Sequence, residues 1–329
     1  MKKLLFSIAL TLIGSAALTA QQNALEGAKQ NYKQAKYDEV IAVLTPPSRS
    51  KDLKNNAEVW NYLGLAQFEK NNTKAARKSF EKAVMLAPSD DAYHVNLAYV
   101  YLLERKINKA QSELEVAIRL NPRSLGAYGL RGRSNLWEGK IEEAIRDADT
   151  ALSIDPSYTS AYIVKADALL SRFGANTMDG AAPRGEVGIL SQAMDILKTG
   201  ISKARTSSDS KTLSDQFSLI SAFYEHFTRE KKPLDSAPDP GITPVKILSK
   251  PKAPYTDRAR QANIQGTIRL AILFGASGKI EGILILKRLG YGLDENAYLA
   301  ASQIKFEPKT VNGKPVPAVL TFEYGFNIY

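Results

Sequence analysis

Small and apolar residues recur in this chain at a fixed interval of 34 positions. Trp60, His94, Tyr128 and Tyr162 form one ladder, and Gly64, Ala98, Gly132 and Ala166 another. Ala76, Ala110 and Ala144 form a third, Ala83, Ala117 and Ala151 a fourth. Pro88, Pro122 and Pro156 close successive units. Small residues at fixed crossings let two helices approach closely, and a Pro after the second helix lacks an N–H and stops it. The pattern predicts stacked helical hairpins, none able to bury its apolar face alone.

The array extends beyond its regular part in both directions. Residues 21–56 fit a degenerate first unit with Val40 and Leu44 on its second helix. Two extra residues separate it from the next unit. Downstream, helix 159–172 is separated from its partner, at about 189–205, by the insertion GANTMDGAAPRGEVG (174–188), expected as an exposed loop. In 213–229, Phe217, Ile220, Tyr224 and Phe227 form an amphipathic stripe, expected to cap the array. A Pro-rich stretch, 231–253, predicts a semi-extended linker.

After the linker the helical period gives way to alternation. Strands are expected from Thr267 to Phe274 and from Ile280 to Leu289, joined by a turn at Gly275–Gly278. A helix at about 293–303 follows. The run 316–328 then places Ala318, Leu320, Phe322, Tyr324, Phe326 and Ile328 on one face.

The hairpins resemble tetratricopeptide repeats. Unit 57–90 carries Trp60, Leu63, Gly64, Ala76, Phe80, Ala83 and Pro88 in the register of that family. Unit 91–124 keeps Leu97, Ala98, Tyr101, Ala110, Leu114, Ala117 and Pro122. Unit 125–158 keeps Tyr128, Gly132, Ala144, Ala148, Ala151 and Pro156. The resemblance implies an all-α superhelix whose groove is lined by the first helix of each hairpin. By that register Asn61, Leu65, Glu69, Tyr99, Leu103, Arg133, Trp137 and Asp167 face the groove, with Tyr99 and Trp137 as anchors. Leu65, Gly126 and Leu130 replace the polar positions of the family's carboxylate clamp. Arg131 and Lys165 stand where Leu63 and Leu97 stand earlier. Either their stems cover the hairpin while the charges reach water, or both charges face a ligand.

The segment 250–329 resembles the C-terminal domain of TonB-family proteins. The resemblance rests on Pro254-Tyr255, Ala259-Arg260, Gly266, Gly278, Leu293-Asp294, Ala297, Ala300, Phe306, Pro308, Gly313, Pro315 and Val316. It implies a small α+β domain with an antiparallel sheet that captures a transporter segment as an added strand. Val319, Thr321, Glu323 and Asn327 are then the outward residues of the terminal edge strand. Leu320, Phe322, Tyr324 and Phe326 form its inward set. A second copy of the chain pairing at that edge is the competing occupant. The architecture is thus multidomain: segment 1–20, a helical solenoid over 21–230, linker 231–253 and the C-terminal domain over 254–329.

Charge and composition narrow the partners. Lys2 and Lys3 precede a mostly apolar run ending at Ala20, the form of a secretory signal peptide or, uncleaved, of an inner-membrane anchor. The net charge is +10, and +8 without those two lysines, because the segment contains no acid. Lys and Arg are dispersed, which argues against nucleic acid. The chain has no Cys, so it has neither a disulfide nor a lipid-modified cysteine. Its two His, His94 and His226, stand in unrelated contexts. GASGK (275–279) is a hairpin turn rather than a phosphate loop. No catalytic set, metal or cofactor is expected. The resemblances imply a periplasmic protein-binding adaptor, possible partners being outer-membrane transporter segments. The alternative is a membrane-tethered energy transducer, although the N-terminal run lacks a His and the family's motor-contact motif. A long Pro-rich spacer is also absent.

Overall fold

A computed structural model describes residues 23–45, 53–175, 187–229 and 241–327. Segment 1–20, most of the insertion 174–188 and the first part of the Pro-rich stretch lie outside the described residues. The chain divides into two compact units, 1–130 and 131–329. The division falls inside the helical array rather than at the Pro-rich stretch.

In the first unit, α1 (23–33) and α2 (Tyr37–Leu44) form the degenerate hairpin. Its Leu25, Ala28, Val40 and Leu44 close against Val59, Leu63 and Ala66. A short tight turn (Leu53–Asn55) leads to α3 (Ala57–Glu69) and α4 (Thr73–Leu86), then α5 (Asp91–Leu103) and α6 (Ile107–Leu120). Side-chain oxygens cap the starts of α3, α4 and α5: Asn56 accepts from Glu58 N, Asn72 from Ala75 N and Asp90 from Ala92 N. Gly64 explains the tight α3–α4 crossing. A Cβ there would lie 2.7 Å from the ring of Phe80, which is buried. The turn inside each hairpin has one left-handed residue, Ala35, Asn71 and Arg105, with φ between 57° and 59°.

The aromatic ladder has a second role. Trp60 Nε1 donates to the Lys54 carbonyl at 2.8 Å, and His94 Nε2 lies 3.0 Å from the Pro88 carbonyl. His94 also meets the Glu113 carboxylate at 2.6 Å, so it is the buried packing residue expected. In the second unit Tyr162 donates to the Pro156 carbonyl at 2.7 Å. These three polar ring tips thus each tie down the loop six residues upstream.

Helix α7 (Leu125–Trp137) begins in the first unit and ends in the second. The second unit continues with α8 (Ile141–Ile154), α9 (Thr159–Ala175), α10 (Val187–Lys203) and α11 (Ser207–Arg229). Arg131 on α7 grips Asp147 on α8 with two nitrogens, at 2.6 and 3.0 Å, and Lys165 meets Asp149 at 2.6 Å. The charges that replace leucine therefore stitch first helices to a second helix.

The C-terminal domain begins earlier than the linker reading placed it. Strands β1 (Ile242–Thr243) and β2 (Lys246–Ser249) precede α12 (Asp257–Gln261). Then come β3 (Gly266–Phe274), β4 (Ile280–Lys287), α13 (Leu293–Ser302), β5 (Lys305–Glu307), β6 (Lys309–Val311), β7 (Lys314–Val316) and β8 (Ala318–Phe326). The main sheet has the order β4-β3-β8, and every pairing is antiparallel, with Leu270 opposite Phe322. Strand β2 pairs with β5, and β1 with β6.

Both faces of the main sheet are covered. On one, Ile268, Leu270, Ile272, Phe274, Tyr324 and Phe326 pack with Ala297 and Ala301 of α13 and with Phe306. On the other, Ala271, Leu273, Leu284, Leu286 and Val319 share a core with Tyr162, Leu169, Phe173, Leu190, Leu213 and Phe223. The stripe expected to cap the array therefore lies against the sheet as well as α10. Burying one Leu or Phe contributes about 1.5–3 kcal/mol. A core shared on this scale makes α8–α11 and the sheet one body.

Candidate protein-binding surfaces

Five of the expected groove residues lie in the first unit. Leu103 is exposed, and Leu65 and Tyr99 are half-buried. Tyr99 packs on Phe68 with ring centroids 5.3 Å apart. These residues leave apolar surface accessible on the first unit. Asn61 does not: it is buried and accepts a hydrogen bond from Asn96 at 2.8 Å, which corrects its placement in the groove. Glu69 is exposed and accepts from the Tyr32 hydroxyl at 3.5 Å. Burial and the Glu69 charge push that phenol up to about 12.

Two of the three remaining groove residues, Trp137 and Asp167, meet the chain itself. Strand β4 ends at Lys287, and Gly290, Tyr291 and Gly292 follow in left-handed conformation. The loop comes so near α7 that a Cβ on Gly290 would lie 2.6 Å from the Trp137 carbonyl oxygen. Arg258 pairs with Glu138 and lies over the Tyr291 ring at 5.1 Å. Arg288 donates to the Ser171 hydroxyl at 2.9 Å. Asp167 accepts from Gln216 at 2.8 Å. Burial holds its carboxyl above the ordinary range, against the pull of Arg288 and Arg133. Asp294 is raised by burial too, while Arg288 and the N–H groups of Leu289 and Gly290 stabilise its charged form. Trp137 and Asp167, expected to face a partner, therefore lie against residues of the C-terminal domain and α11. Arg133 remains exposed.

Strand β8 is an edge: among the described residues it pairs with β3 alone. Lys250 Nζ donates to the Glu323 carbonyl at 2.7 Å, so that carbonyl points away from β3. In an antiparallel pair, N–H and C=O of one residue face the same side and alternate along the strand. Thr321 and Gly325 therefore also turn their backbone groups outward. The Glu323 side chain is exposed and pairs with Arg269 at 2.9 Å. Thr321 and Asn327 are exposed as expected. Val319 is not: it is 8% exposed and belongs to the core shared with the helices. The alternation assumed one wet face, and at Val319 that face is covered by the last helices. Leu320, assigned to the inward set, is 37% exposed. Burial raises the Tyr324 phenol, whose oxygen has no hydrogen-bond partner among the described residues. Lys250 and Arg288 were missed in the sequence. Neither has a motif, and only β-pairing brings each into place. Among the described residues no His, Cys, Asp and Glu come together as a metal site.

This geometry combines a helical-repeat region with a strand-edged α+β domain, and the comparisons match both halves. The model of the family described as Gram-negative bacterial TonB protein C-terminal matches residues 251–328. That of the tetratricopeptide repeat matches residues 57–90. The chain therefore carries a tetratricopeptide-repeat region followed by a TonB C-terminal domain. Human protein O-mannosyl-transferase TMTC3 is 28% identical over 132 residues, 36% of this chain but 14% of its own length. Human serine/threonine-protein phosphatase 5 is 29% identical over 108 residues, 33% of this chain and 20% of its own. The chain thus spans a fifth or less of these relatives. A thermophilic TPR protein of Thermus thermophilus is similar in structure, with TM-score 0.49 and 18% identity, covering 61% of this chain and 99% of that one. Both modules are non-catalytic protein-interaction modules, and the TonB domain points to association with envelope transport.

Proposed function

We propose that this chain is an exported adaptor of the Gram-negative periplasm, linked to outer-membrane transport. The repeats bind one protein partner through the apolar surface of Leu65, Tyr99 and Leu103. The C-terminal domain captures an extended segment of another, such as an outer-membrane transporter. The carrying observation is the β8 edge, whose Glu323 carbonyl faces outward. An extended peptide laid there gains main-chain hydrogen bonds. Segment 1–20, with its lysines and apolar run, supports export. The net positive charge suits acidic partners.

Thr321→Pro tests the capture. It removes one outward N–H at an exposed position and leaves the core untouched. Pulldown of transporter-derived peptides should fall several-fold while circular dichroism stays unchanged. Undiminished capture by a well-folded variant that sediments as a dimer would place a second copy at the edge and sink the reading.

A further inference from the structure

Lys250 directly follows β2, which is fixed by its pairing with β5, and it precedes Pro251. Its ammonium reaches β8 in two ways. It donates to the outward Glu323 carbonyl at 2.7 Å, and it lies over the rings of Tyr324 and Phe322, 4.6 and 5.5 Å from their centroids. The side chain thus crosses the rim of the sheet on the aromatic face and occupies an acceptor that an added strand would need. A lysine on an exposed edge is a known means of discouraging pairing.

We propose that Lys250 gates the β8 edge and selects the charge of the strand that enters. The proposal rests on the reading of β8 as a capture edge. Pairing at Thr321, Glu323 and Gly325 sets the peptide's intervening residues opposite Phe322 and Tyr324. There the side chains of both strands share one face and come close. An entering N–H displaces the ammonium from Glu323, but the lysine stem stays tethered on that face. A carboxylate on the entering strand meets a cation there, and a basic side chain meets repulsion. No other charged side chain lies over those two rings among the described contacts. Arg269 and Glu323 pair on the opposite face of the strand.

The test uses the full chain and two extended peptides identical except for a central Glu or Lys. Their binding is followed by fluorescence anisotropy. The wild type should bind the Glu peptide about three- to tenfold more tightly than the Lys peptide. Lys250→Met, which keeps the stem but not the charge, should erase the preference, and Lys250→Glu should invert it. The same preference in all three proteins, with peptides still bound, overturns the gate and leaves capture standing. Binding of neither peptide by the wild type refutes capture itself. Sedimentation then decides the gate. Self-association of Lys250→Met, where the wild type stays monomeric, upholds edge capping, and a monomeric variant overturns it.

Discussion

Phe223→Ala asks whether the last helices and the sheet stand or fall together. Phe223 on α11 is fully buried, and its ring lies 3.4 Å from where a Cβ on Gly282 of β4 would stand. Helix and strand backbone hold the walls of the cavity left behind, so collapse is limited. Phe→Ala at such a site costs about 3–5 kcal/mol. With a urea slope of about 2–3 kcal/mol/M for a unit of this size, the midpoint drops by about 1–2.5 M. The chain has two Trp, Trp60 in the first unit and Trp137 in the second. In a Trp60→Phe background, fluorescence follows the second unit alone. Phe223→Ala should shift the Trp137 transition by the full amount. Val319→Ala, at the sheet side of the same core, should shift it by about 1–2 kcal/mol. If Trp137 reports an unmoved midpoint while strand signal is lost earlier, the helices and sheet do not share one cooperative core.

Asp167→Asn addresses the carboxyl that burial holds above its ordinary range. A raised folded-state value means the folded protein binds that proton more tightly than the unfolded chain. The stabilisation is full at low pH and disappears as pH rises through the folded-state value. The Asn variant should therefore melt above the wild type near neutral pH. That advantage should shrink as the pH falls into the carboxylate range; melting curves that keep a constant gap across pH would exclude this cause. Arg105→Gly should gain about 0.5–1 kcal/mol by relieving a left-handed backbone at φ 59° in the α5–α6 turn, measured by urea unfolding followed at Trp60 in a Trp137→Phe background. A loss of stability there would mean that the Arg105 side chain contributes more than its conformation costs.

The helical array was legible because its signal is repeated. Trp60, His94 and Tyr162 keep ring and donor at the same interval, so each unit supports the reading of the next. The turns were not legible. Ala35 and Arg105 adopt a conformation that glycine usually marks, held there by the helices on either side. Strands of two to four residues, such as Ile242–Thr243 and Lys246–Ser249, are too short for alternation to show. Val319 was misplaced because alternation tells apart two faces but does not say that one is wet. The apolar Ala271, Leu273, Leu284 and Leu286 beside it were the available hint. Lys250 and Arg288 act through long-range pairing, which single-chain patterning does not encode.

The doubly covered sheet constrains what recognition by this domain can be. With α13 against one face and the last helices against the other, most of both faces of the sheet is covered among the described residues. What it offers is a line, such as the rim of β8. Contact along a line accumulates in steps, one outward residue for every two along the strand, about 6.8 Å apart. Partner affinity then scales with the number of consecutive extended residues rather than with the shape of a folded surface. A rigid globular protein has nothing to lay along such a rim unless it carries a loose tail or an exposed edge strand of its own, whereas an unstructured segment fits without rearrangement of the domain.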